Sequence, residues 1–187
     1  ARAGAGGVLL CELLKDNWNK VRAAAARGLS QHPQHSACLS VLLKDKIPEV
    51  LLAAAEASVT VKSPALRVPL RALAGQASAY MPARQAAILA LAHLGDMEPA
   101  RRIMETHLKR GGIIKLARAS VKALDAAEAP SEEFRAALKS EAFQVQLAAA
   151  EVLSRRKDEQ SRPLLFEMLK KVPPRRRNQL RSFLQRF

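Results

Sequence analysis

Histidine and cysteine at close spacing are the first residues to weigh for chemistry. His32, His35 and Cys38 form a His-x-x-His-x-x-Cys run, and side chains of this kind ligate zinc. Pro33 interrupts the first spacing and no fourth ligand stands nearby. The run therefore reads as a turn leading into a helix with a buried cysteine, and no metal is expected. Carboxylates come next. Glu98, Glu132 and Glu133 fall where helices should begin, and an acid there opposes the helix dipole. Gly111-Gly112 matches neither a phosphate-cradling loop nor a nucleophile elbow. No catalytic residue and no cofactor are expected, which leaves binding.

For binding, the charge is the strongest signal. The chain of 187 residues has a formal net charge of +14, which suits an anionic partner. Residues 155–187 carry a net +8, more than half of the excess. Arg155, Arg156, Lys157, Arg175, Arg176, Arg177 and Arg181 make up its clusters, and Arg101, Arg102, Lys115, Arg118 and Lys122 form a second group upstream. These residues are the candidate partner or anion site. Trp18, the single tryptophan, is a candidate anchor, because Trp is enriched at binding hot spots.

The elements that position these residues come from an internal repeat. An Ala-rich stretch recurs as VRAAAARGL from Val21, VLLAAAEAS from Val50, ARQAAILAL from Ala83, LARASVKAL from Leu116 and VQLAAAEVL from Val145, with a degenerate copy, RRNQLRSFL, from Arg176. Each is preceded by a second amphipathic segment, such as Leu10, Leu13 and Leu14 or Leu39, Leu42 and Leu43, with the i, i+3, i+4 spacing of a one-sided helix. The unit is a helix pair, A then B. Nine of the ten prolines fall at proposed helix starts, where the missing N–H is not needed. The tenth, Pro69, is expected to bend helix A of the third copy. Asp96 and Ser63 are expected N-caps. With few aromatic and β-branched residues, a sheet-rich fold is excluded. The expected fold is all-α, a right-handed α-solenoid of about six antiparallel helix pairs, read as one domain over 1–187 with copies near 6–31, 33–60, 63–94, 97–125, 130–157 and 160–187.

Leu13-Leu14-Lys15-Asp16 followed by Val21-Arg22-Ala23-Ala24-Ala25 resembles the HEAT repeat family, in which helix A ends near an Asp-bearing turn and helix B opens with Val-Arg. The resemblance covers essentially the whole chain. The B-helix Arg is present as Arg22 and Arg84, and the turn Asp as Asp16 and Asp45, but both are lost in other copies. Armadillo repeats need room for a third helix, and tetratricopeptide repeats need Trp and Tyr positions that are empty here. The resemblance implies a scaffold binding a protein on a concave surface of B helices. Nucleic-acid binding through the basic fourth and last copies is the alternative, and a DNA glycosylase or bilin lyase, both known among HEAT-like proteins, ranks lower. Along the B helices the charge alternates, from Lys20 to Glu49 and from Arg27 to Glu56, whereas a phosphate-tracking groove would be uniformly basic.

Cys11 and Cys38 lie in apolar stretches and are expected as buried free thiols, which points to a reducing compartment. No apolar run approaches the roughly 20 residues of a membrane span. An intracellular, cytoplasmic protein is therefore expected, as is a piece of a longer chain, since neither an initiator Met nor a signal segment opens the sequence.

Overall fold

The computed structural model describes residues 2–187, with side chains from Gly6 onward; Ala1 lies outside them. Six helix pairs follow one another, with no strand among the described residues. Helices α1 (Arg2–Leu13) and α2 (Asn19–Leu29) form copy 1. In copy 2, a 3-10 segment (Pro33–Cys38) and α3 (Leu39–Leu42) precede α4 (Pro48–Val61). In copy 3, a 3-10 turn (Pro64–Leu66) and α5 (Arg67–Gly75) precede α6 (Met81–His93). Copy 4 is α7 (Glu98–Arg110) with α8 (Ile114–Ala126), and copy 5 is α9 (Ser131–Ala137) with α10 (Phe143–Arg155). Copy 6 is a 3-10 turn (Glu159–Ser161) and α11 (Arg162–Lys171) with α12 (Pro174–Leu184). The fold is all-α and built from repeats. None of these helices is long and apolar enough to cross a membrane.

The prolines set the boundaries as expected, with one correction. Pro69 does not bend a continuous helix. The A segment of copy 3 is split into the 3-10 turn and α5, and Pro69 sits in the first turn of α5. The α-helical hydrogen-bond pattern starts just late enough that no bond from residue 69 is needed.

The chain divides into two compact units, residues 1–100 and 101–187. In the first, the B helices stack, α2 on α4 and α4 on α6, while α1 covers α2 and α5 covers α6. Small side chains permit this: Ala25, Ala53, Ala54, Ala87 and Ala90 are all buried. Ala24, in the same Ala-rich stretch as Ala25, is exposed. In copy 1, helices A and B approach so closely that a Cβ on Gly28 would stand 3.0 Å from Leu10. In the second unit, α10 packs against α8, α9 and α12, and α11 against α12. Leu180 and Phe183 are buried on α12, and the Ser154 hydroxyl donates to the Phe183 carbonyl at 3.0 Å.

The expectation of free thiols is overturned. Cys11 and Cys38 are joined by a disulfide, with their Cα atoms 5.7 Å apart, and both are half-buried. The two A segments run close enough for this because Gly7 makes room for His35: a Cβ on Gly7 would lie 2.1 Å from the His35 ring. The His-x-x-His-x-x-Cys run thus splits into packing and cross-linking roles. The inference of a reducing compartment, which rested on free thiols, loses its support.

Neither expected N-cap works as a simple cap. Ser63 makes no capping bond with its side chain. Asp96 is buried and receives two hydrogen bonds from Arg71, at 2.5 and 2.8 Å. Those bonds hold the Asp96 carboxyl below the usual carboxylate range, against the opposing effect of burial; the charges of Arg71 and Arg67 and the Glu98 N–H add to the lowering. A carboxyl with a depressed folded-state pKa stabilises the fold fully above its unfolded value, about 3.9, and loses that contribution as pH falls through the lower folded value. At pH 7, Asp96→Asn should therefore be less stable than wild type, and the gap should close as pH is lowered from about 4. Urea midpoints at a series of pH values measure it. A gap that stays constant down to the acid limit would show that Asp96 contributes nothing through its charge.

Candidate functional site

Each B helix starts from an extended residue. In chain order these are Trp18, Ile47, Tyr80, Ile113, Ala142 and Pro173, each three residues before the aligned Ala-rich stretch, and none makes a capping bond with its side chain. In copies 1, 2 and 5 a residue two positions earlier does that work instead. Asp16 accepts the Trp18 N–H at 2.7 Å, Asp45 the Ile47 N–H at 2.9 Å, and Ser140 the Ala142 N–H at 3.1 Å. Such side-chain turns fix the chain just ahead of a helix. They also leave the N-cap side chain free to be apolar and to point outward.

In the first unit the result is a row. Trp18 is 72% exposed, Ile47 36% and Tyr80 43%. Because α2, α4 and α6 stack in order, their N-termini share one edge at a spacing of roughly 10 Å, set by helix packing. Lys15, Lys20, Lys44 and Lys46 are exposed beside the row. The nearby acids are partly occupied. Asp45 is gripped by Arg22 of the preceding copy at 2.8 and 3.2 Å, and Arg22 also donates to the Asp16 carbonyl at 2.9 Å. Arg84, the other B-helix arginine, is buried and donates to the Ala74 carbonyl. On the exposed helix faces, Arg27 reaches Glu49 at 3.9 Å, a charge pair between neighbouring copies of the kind the alternation suggests.

The basic clusters fare unevenly. Arg155 pairs with Asp125. Arg156 reaches the same carboxylate at 2.9 Å and the Ala129 carbonyl, and its guanidinium lies 4.6 Å from the Phe134 ring centroid. Arg101 meets Glu133 at 2.7 Å. All three are held by groups of the neighbouring copy. At the chain's end, Arg176 stacks over Phe143 at 4.8 Å and Arg177 donates to the Val172 carbonyl at 2.9 Å. Lys157, in a left-handed conformation at φ +53°, is exposed, as are Arg102, Lys115, Arg118, Lys122, Arg175 and Arg181. Lys115, Arg118 and Lys122 share one face of α8, since they are spaced by three and four residues.

Of the candidate residues, Trp18 is the one that joins the exposed apolar row. Ile47, Tyr80 and Ile113 were not among the sequence candidates, although reading the aligned copies three residues further upstream exposes the pattern.

Residues 8–92 match the family model for HEAT repeats, so the likeness read from the Asp16 turn and the Val21-Arg22 start is shown. No curated protein matches the chain. Among solved structures, a chain in the complex of CpcE and CpcF of phycocyanin lyase from Nostoc sp. PCC7120 is similar, with a TM-score of 0.64 and 19% identity, over 96% of this chain and 75% of that chain. At that identity the likeness concerns the fold alone.

Proposed function

We propose that this HEAT-repeat chain is a non-catalytic scaffold that binds a protein across its exposed B-helix surface, anchored at the N-terminal edge by Trp18, Ile47 and Tyr80. The row of exposed apolar residues on successive turns carries this reading. A Trp and a Tyr offer large contact area at low entropic cost. The similar solved structure being a complex of two proteins supports the same reading.

A second reading has its own support. Arg102, Arg118 and Lys122 in copy 4, with Arg175 and Arg181 in copy 6, are exposed and fit phosphate binding. The two readings differ in salt dependence, because phosphate-led binding collapses as salt rises while apolar anchoring persists.

Immobilised chain should therefore retain a defined protein partner at about 0.5 M salt, where surface charge is screened. On binding, fluorescence of the single tryptophan should shift to the blue as Trp18 leaves water. Trp18→Ala with Ile47→Ser and Tyr80→Ser should abolish both signals, with folding intact because these side chains are exposed. The proposal fails if nothing but nucleic acid is retained, or if the triple variant binds its partner as wild type does.

A further inference from the structure

Between the A–B turns of copies 4 and 5 lies a cleft of about 630 Å³, lined among others by His107, Arg110, Gly112, Lys139, Ser140 and Glu141. Its residues are separate from the Trp18, Ile47 and Tyr80 row, and its reading does not depend on the protein-binding one. Two features mark it as more than a surface dent. The first is an imidazole with one occupied and one unoccupied nitrogen. His107 is only 8% exposed. Its Nε2 lies 2.9 Å from the Ser140 hydroxyl oxygen, while its Nδ1 is buried and has no hydrogen-bond partner among the described residues. A Cβ on Gly112 would stand 3.6 Å from that nitrogen, so it lies directly under the turn that walls the cleft. Buried polar atoms without partners are rare and costly, and one beside a cleft asks for a ligand or a bridging water.

The second feature is the charge at the rim. Lys109 is tied to Glu105 at 2.6 Å. Arg110 and Lys139 are exposed, with no ion pair among the described residues. Glu141 is the one acid among the lining residues, so the two cations outnumber it. The proton arrangement agrees with the charge. Ser140 already accepts the Ala142 N–H at 3.1 Å and can give its own proton to Nε2. With that hydroxyl donating to Nε2, the ring proton sits on Nδ1, which makes that atom a donor. Cations at the rim and a donor beneath the wall all suit the same ligand atom, an anionic oxygen.

We propose that this cleft binds a small organic oxyanion, with its carboxylate or phosphate group held by Arg110 and Lys139 and completed by the His107 imidazole. Its volume lies within the range of small-molecule sites, roughly 300–1,000 Å³, and exceeds what a lone ion needs.

The test uses the whole chain, with succinate and inorganic phosphate as separate probes, at ionic strength held constant with sodium chloride. Calorimetric titration should show binding of at least one probe. The melting temperature should rise with that probe's concentration, since a ligand of the native state alone stabilises it, and the His107 ring nitrogen resonances should move on saturation. Arg110→Ser with Lys139→Ser changes two exposed side chains, so it should fold as wild type and bind about tenfold more weakly or worse. Arg175→Ser with Arg181→Ser should bind as wild type, which separates the cleft from the basic C-terminal helix. Binding of succinate alone identifies a carboxylate site, of phosphate alone a phosphate site, and of both a shared oxyanion site. Binding of neither probe, equal affinity in the Arg110/Lys139 variant, or unmoved His107 resonances would overturn the assignment.

Discussion

Replacing Phe134 with alanine should destabilise the second unit by about 3–5 kcal/mol, the range for deleting a buried aromatic ring. Phe134 is 1% exposed and is the largest fully buried side chain. Two consequences add to the lost burial. An apolar cleft of about 280 Å³ already borders the ring, lined by Met104, Leu108, Val121 and Leu124 among others, so truncation enlarges an existing gap. The ring also supports Arg156, which lies over it and binds Asp125 and the Ala129 carbonyl of the preceding copy. Without the ring, that guanidinium loses its platform and the join between copies 4 and 5 loosens. Phe134→Leu keeps most of the bulk and should cost far less, about 1.5 kcal/mol or below by the tolerance of hydrophobic swaps. Stability in a repeat protein is local, so native-state hydrogen exchange at the α10 amides is the suitable readout. Near-equal protection in wild type and Phe134→Ala would show that the ring does not hold these copies together.

The helix pairs were legible because three independent signals agree: the recurrence of the Ala-rich stretch, the apolar stripe of the segment before it, and the prolines at the starts. Each is local, and a helix pair is a local object. What escaped depends on which residues stacking brings together. The pairing of Cys11 with Cys38 needs the A segments of copies 1 and 2 side by side, which helical periodicity does not state. Arg155, Arg156 and Arg101 look like free positive charge in a linear reading. Their acids, Asp125 and Glu133, lie about one repeat away and become partners only when the copies stack. The cleft at His107 is of the same kind, since Ser140 is 33 residues distant. The row of exposed N-caps was within reach, because all six positions share one register. It was missed because apolar residues before a helix contradict the usual preference for polar caps, and in copies 1, 2 and 5 the structure shows why they are tolerated: Asp16, Asp45 and Ser140 hold the N-cap amide from two positions upstream.

Reducing the Cys11–Cys38 bond, or replacing both cysteines with serine, should cost roughly 3.5 kcal/mol, the loop-entropy value for a cross-link between residues 27 apart. The position magnifies the effect. In a stack of repeats each copy is held by its neighbours, and α1 belongs to the first copy in the described chain. Its helix mates are α2 and the Pro33–Cys38 segment, and the contact with that segment runs through Gly7 against His35 and, one turn on, through the disulfide. Without the bond, α1 keeps its contact with α2 and the His35 packing but is free to fray. Hydrogen exchange should therefore accelerate first at α1 and the 33–38 segment, with the α10 amides as the internal comparison. Alkylation of the unfolded protein without reductant should modify neither cysteine, and after reduction it should modify both. If both cysteines are alkylated without reductant, no cross-link exists. If the bond is present but its reduction leaves the exchange of α1 unchanged, helix packing alone secures the first copy.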